Sequence, residues 1–127
     1  MRTVLLASLL LGACSVQPNA PPGPPPGTYQ GAGAGAGRDR LIVAGTADGL
    51  TADLLVFAPD GTANCSMAGK LSRAGPAWQL TPHGEEECRV TLAIDGKLAR
   101  VTNVPAACSY YCGPGASLDV KQFKFGQ

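Results

Sequence analysis

Residues 88–103 read Cys88-Arg89-Val90-Thr91-Leu92-Ala93-Ile94-Asp95-Gly96-Lys97-Leu98-Ala99-Arg100-Val101-Thr102-Asn103. Cys88, Val90, Leu92 and Ile94 alternate with Arg89, Thr91, Ala93 and Asp95, the period of a strand with one buried face. Asp95-Gly96 then predicts a turn, because Gly takes a positive φ without steric cost. With those two residues as the loop, Ile94 faces Lys97, Leu92 faces Ala99 and Val90 faces Val101. Such a register puts the apolar residues of both strands on one side, as a half-buried antiparallel pair requires.

The same signals recur on either side. Leu41-Ile42-Val43 is a short apolar run rich in branched side chains. Leu54-Leu55-Val56-Phe57-Ala58 leads into Pro59-Asp60-Gly61-Thr62, a second hairpin signal, with a return strand expected over Thr62 to Met67. Trp78 and Leu80 stand at period two in an intermediate strand, and Trp78 is read as a core residue. Ser117 to Phe125 is expected to make the last strand. No stretch keeps a 3.6-residue period, although Pro105 to Tyr111 fits a short helical turn. The predicted fold is all-β: a small antiparallel meander, barrel or curled sheet, of six or seven short strands. The order of strands resembles small lipocalin-like bacterial envelope domains.

Composition divides the chain into three segments. Six of the 11 prolines and six of the 17 glycines fall between Pro18 and Gly37. Before them, Met1 to Ala13 carries a positive Arg2 and an apolar run, Val4 to Leu11, of eight residues. That run is far short of the roughly 20 residues needed to span a bilayer, so residues 1–13 read as an export signal. It ends Leu11-Gly12-Ala13-Cys14, which resembles the lipobox of bacterial lipoproteins. The resemblance implies that the signal is removed before Cys14 and that Cys14 receives the lipid: a diacylglyceryl thioether on sulfur and an acyl group on the new amine. One acyl chain anchors only marginally, whereas several hold firmly. Ser15, where an Asp would favour the inner membrane in the enterobacterial pattern, implies an outer-membrane anchor facing the periplasm.

Residues 14–37 then read as the lipidated Cys14 and a tether. There is too little to bury to offset the entropy of ordering its backbone. Pro18 to Pro26 is expected to be extended, at about 3.1 Å per residue, and Gln30 to Gly37 a flexible coil. The Gly-Ala repeat is not a dinucleotide loop, which needs a strand before it and a helix after it. Residues 38–127, 90 in number, are left for the β domain, a small core that benefits from covalent cross-links.

Charge excludes a nucleic-acid partner. The formal net charge is +1, and without Arg2 the chain has nine basic and nine acidic side chains. Setting Cys14 aside leaves Cys65, Cys88, Cys108 and Cys112, an even number in an exported domain, which reads as disulfides rather than zinc. Cys88 opens one strand of the hairpin and Cys108 lies just past the end of the other. This favours Cys88–Cys108 with Cys65–Cys112; the alternative is Cys65–Cys88 with Cys108–Cys112.

Between and beyond the last two cysteines lies Ala107-Cys108-Ser109-Tyr110-Tyr111-Cys112-Gly113-Pro114-Gly115-Ala116. A pinned loop bearing two tyrosines offers rigid area with polar tips. Tyr110, Tyr111, Gly113 and Gly115 are therefore the binding-loop candidates. Gly113-Pro114-Gly115-Ala116-Ser117 resembles the Ser-Gly-Ala-type loop of small periplasmic lysozyme inhibitors, which implies inhibition of a cell-wall hydrolase as an alternative function. His83, in Thr81-Pro82-His83-Gly84-Glu85-Glu86-Glu87, is the one histidine and has no partner singled out for general-base or metal work. No catalytic, metal or cofactor residue is assigned. The expectation is a non-enzymatic lipoprotein, held to the membrane through Cys14 and engaging a protein or cell-wall partner.

Overall fold

The computed structural model describes residues 23–126. The expected export signal, Cys14 and the first part of the expected tether lie outside the described residues. Eight strands follow one another in a closed barrel: β1 Gly27–Gln30, β2 Arg40–Thr46, β3 Gly49–Phe57, β4 Asn64–Ala74, β5 Ala77–Pro82, β6 Val90–Asp95, β7 Leu98–Asn103 and β8 Gln122–Phe125. Each pairs antiparallel with its chain neighbour, and β1 closes on β8 through Tyr29 opposite Phe125 and Gln30 opposite Lys124. The expected all-β meander is thus a barrel rather than a curled sheet.

Strand counting falls one short, and the missing strand is β1. It lies inside the Pro/Gly-rich stretch that composition assigns to the tether, so the folded unit begins before Arg38. Closing the barrel buries Tyr29 completely, and that burial outweighs the local preference for coil. The glycine-alanine segment behind it is also held. Gly31 N–H donates to the Asp39 carbonyl and Asp39 N–H donates to the Ala32 carbonyl, both at 2.8 Å. Arg40 Nη2 reaches the Ala36 carbonyl at 3.1 Å, across a 3-10 turn at Gly35–Gly37.

The 88–103 hairpin forms with its register displaced. Asp95 pairs with Leu98, Ile94 with Ala99 and Leu92 with Val101, so the loop is Gly96-Lys97 rather than Asp95-Gly96. Gly96, at φ +62°, takes the first loop position, where a left-handed residue matches the twist of the strands. The slip is two residues along one strand. Side chains alternate with a period of two, so the apolar faces survive it: Val90, Leu92, Ala99 and Val101 are all buried. The return strand β4 begins at Asn64 rather than Thr62 and runs on to Ala74; its turn spans six residues, closed by Ala58 N–H donating to the Ala63 carbonyl at 2.8 Å. The last strand is four residues, not nine, since Ser117–Asp119 side-chain bonding and a positive φ at Val120 hold the preceding segment in turns.

Tyr29, Leu41, Leu54, Val56, Leu80, Leu92, Leu118 and Phe123 fill the interior. Outward positions such as Asp53, Lys70, Arg100 and Lys124 are exposed. This apolar-in, polar-out order is the reverse of a lipid-spanning barrel. Among the described residues no helix is long and apolar enough to cross a membrane. Strand β4 approaches β5 closely at Gly69, where the Thr81 carbonyl and Pro82 occupy the space a Cβ would take.

The antiparallel order gives the barrel two unlike ends. At one, three hairpins turn in two residues each, at 47–48, 75–76 and 96–97. At the other, the connections are 31–39, 58–63, 83–89 and 104–121.

Candidate functional site

The longest connection, residues 104–121, carries the tyrosines. Pro105 starts it in extended backbone, and a 3-10 helix follows at Ala106–Tyr111. Cys108 N–H donates to the Pro105 carbonyl at 3.0 Å, and Cys112 N–H to the Ser109 carbonyl at 3.1 Å. The tight turns aim the two cysteines at different parts of the barrel. Cys108 is bonded to Cys88, just ahead of β6, and Cys112 to Cys65 in β4, with Cα–Cα separations of 4.9 and 3.9 Å. This is the first of the two pairings expected from the sequence. Each bridge removes chain entropy from the unfolded state. Cys112 also forms an antiparallel bridge with Cys65, and Gly113 N–H donates to the Asn64 carbonyl at 2.9 Å.

Pinned at both ends, the turn presents Tyr110 to solvent with 86% of its surface exposed. Tyr111 is half-buried and meets Tyr110 edge to face, with ring centroids 5.3 Å apart. The two glycines in the candidate loop act on the backbone. A Cβ on Gly113 would sit 2.9 Å from the Ala63 Cβ, so the close approach to the β3–β4 turn needs glycine there. Gly115, at φ +84°, is the third residue of the turn 113–116, in which Ala116 N–H donates to the Gly113 carbonyl at 3.1 Å, a position that favours glycine.

Tyr111 borders a groove of about 430 Å³ over the outer faces of β2, β3 and β4. Its floor combines apolar Ile42, Leu55 and Ala68 with Arg40, Asp53 and Ser66. Cross-strand pairing explains the arrangement: Arg40 lies opposite Leu55, Ile42 opposite Asp53, and Leu55 opposite Ser66. Loss of hydration pushes the Tyr111 phenol above its ordinary pKa, and the Glu85 carboxylate and then Tyr110 add to the shift. The phenol therefore stays protonated at neutral pH and can donate a hydrogen bond. Of the acidic run 85–87, Glu85 is the residue whose charge reaches the phenol; Glu86 pairs with Arg89 instead.

Two features here were not singled out from the sequence. A polar groove of about 640 Å³ lies beside the first, lined by Lys70, Ser72, Gln79, Thr81, His83 and Arg89 among others. Lys70 faces Thr81 and Ser72 faces Gln79 across β4–β5. The outward half of the period-two pattern carries that signal. His83 is exposed on its rim, and its backbone N–H donates to the Ala68 carbonyl at 3.2 Å. Arg89 is paired with Glu86 at 3.7 Å. The second feature is Asp39, only 4% exposed, whose Oδ1 accepts the Phe57 N–H at 2.9 Å and whose Oδ2 lies 3.9 Å from Lys121 Nζ. It sits between Arg38 and Arg40 in a stretch without alternation, so nothing local marks it as buried. Trp78 is half-buried at the tight-turn end, packed against the core as expected, with the Arg73 guanidinium 4.6 Å from its ring.

Among the described residues no group of three or more His, Cys, Asp or Glu side chains is placed to hold a metal ion. Comparison of the chain with protein-family models, curated proteins and solved structures finds no match.

Proposed function

We propose that the protein is a lipid-anchored lipoprotein of the bacterial cell envelope whose barrel binds a partner without catalysing a reaction. The observation that carries the binding part is Tyr110, 86% exposed at the tip of a turn fixed by two disulfides. A large apolar ring is normally costly to leave in water, and tyrosines with little conformational freedom to lose are the residues that concentrate binding energy in interfaces. The Tyr111 groove adds apolar floor and a protonated phenol beside it. Two disulfides suit an oxidising compartment. Cys14 is the one cysteine outside the pairs, in keeping with its place in the lipobox, and Ser15 favours the outer membrane facing the periplasm.

Two measurements test this reading. Palmitate labelling of cells should mark the wild-type chain and not a Cys14→Ser chain; persistent labelling of the variant would defeat the anchor. A photo-crosslinking residue in place of Tyr110 should yield one discrete adduct in intact cells. The same residue at Val120, 79% exposed on the same connection, is the control and should not. Equal adducts, or none from position 110, would remove the tyrosine loop as the binding surface.

A second reading, inhibition of a lysozyme or another cell-wall hydrolase, is favoured by one observation: the Glu85 charge acting on Tyr111, which would complement a basic enzyme. An absence of inhibition at micromolar protein would eliminate it.

A further inference from the structure

The tight-turn end of the barrel is covered by the residues that precede β1. Pro24 is buried there, although Gly23, Pro25 and Pro26 on either side are exposed. A Cβ on Gly23 would lie 3.3 Å from Leu50 Cδ1 and 3.4 Å from Trp78 Cη2, so the backbone rests directly on an apolar and an aromatic side chain. The Pro25 carbonyl accepts a hydrogen bond from the buried Tyr29 hydroxyl at 3.2 Å. Prolines lining a groove shared with an indole, with one backbone carbonyl held by a side-chain donor, match the chemistry by which aromatic grooves recognise proline-rich segments. Such segments lose little entropy on docking, because their backbone is already restricted. The segment does not fill the groove: about 320 Å³ remains beside it, bordered by Trp78, Ile94, Gly96 and Lys97.

We propose that this end of the barrel is a receptor for proline-rich segments, occupied within one chain by residues 23–26 and able to take the same segment from a second copy. The cognate ligand is written in the chain, where Pro21, Pro22, Pro24, Pro25 and Pro26 stand within six residues. The segment meets the barrel at Gly27, with φ +141° and the Phe125 ring 2.6 Å from where a Cβ would be. Only glycine fits that corner, which is where the segment can turn away from β1. Exchange between copies remakes the same contacts and therefore has little cost beyond association itself. Nothing in this inference depends on the lipid anchor or on the tyrosine loop.

Trp78 is the chain's single tryptophan, so its emission reports the groove alone. In the full chain, Pro24→Asp should move that emission to longer wavelength by admitting water. Titrating in a Trp78→Ala chain, which is silent at tryptophan wavelengths and keeps an intact segment with its own groove emptied, should move the emission back saturably. A chain carrying both Pro24→Asp and Trp78→Ala should not. If Pro24→Asp fails to fold, Pro24→Ala serves in its place. Unchanged emission in the Pro24 variant, or no return on adding the Trp78→Ala chain, overturns the proposal.

Discussion

The two ends of this barrel are closed by opposite means. At the tight-turn end, hairpins of two-residue loops leave little backbone to arrange, and the segment ahead of β1 packs noncovalently, with Gly23 against Leu50 and Trp78. At the other end, four long connections carry most of the irregular chain, and two disulfides plus a buried Asp39 hold them. Long loops are entropically costly to fix, and a short barrel has little apolar surface with which to fix them. Covalent bonds anchor those loops to the core, in which Cys65, Cys88 and Cys108 are fully buried. The tyrosines are at that end because the 104–121 connection is long enough to raise a side chain such as Tyr110 into solvent.

The contrast is broken most severely by removing the bridges. In the chain-entropy view, losing Cys65–Cys112, with a sequence separation of 47, costs about 4 kcal/mol, and losing Cys88–Cys108, with a separation of 20, about 3 kcal/mol. The loops are nested, so each bridge shortens the loop the other must close, and the losses of the two paired alanine variants should sum to slightly less than the loss on removing both. Urea unfolding measures this, and hydrogen exchange should show protection lost first at residues 104–121 while the tight-turn end persists. Asp39→Ala is next, at about 1–3 kcal/mol, because the Phe57 N–H is left without its acceptor. Asp39→Asn retains an acceptor and should cost less by the same assay.

Smaller effects probe the tight-turn end. Gly96→Ala forces a Cβ into a left-handed position and should cost about 1–2 kcal/mol, with Gly96→Asn milder. Alkaline pH acts on Tyr29. Burial raises its phenol above the ordinary value of 10.0, so the folded state favours the protonated form. Stability should be unaffected below that value. It should fall as pH rises above it, until the folded phenol itself ionises. Ionisation also ends the donation to Pro25, so Trp78 emission should shift in the same window. Tyr29→Phe should remove Tyr29's share of this fall, losing about 1 kcal/mol of hydrogen bonding at neutral pH. The smallest effect is electrostatic: Glu85→Gln should lower the Tyr111 pKa in a spectrophotometric titration, since the Glu85 charge helps hold it up.

How much of this was legible in the sequence follows the same division. Alternation marks inward and outward side chains wherever strands are regular, which is why the faces of β6 and β7 survive an error in their turn. The disulfide pairing was readable from the hairpin, because Cys88 and Cys108 flank its two ends. Strand β1 was not readable. Four residues reading Gly27-Thr28-Tyr29-Gln30 carry too short a pattern, and what makes them a strand is the closure between β2 and β8, a tertiary event. Asp39 escapes for the same reason, since its burial is set by residues 18 positions away at Phe57 and beyond at Lys121. The tyrosines stood out because they are few, yet the groove beside Tyr111 depends on outward residues of three strands that no local motif links.

Disulfide mapping of the protein recovered from the envelope membrane fraction, under non-reducing conditions with free thiols blocked at lysis, tests the central claim most directly. That claim is an exported barrel whose loop end is covalently held to present its tyrosines. Peptides joined as Cys65–Cys112 and Cys88–Cys108 are the predicted result. Four free thiols, or Cys108 joined to Cys112, would contradict it.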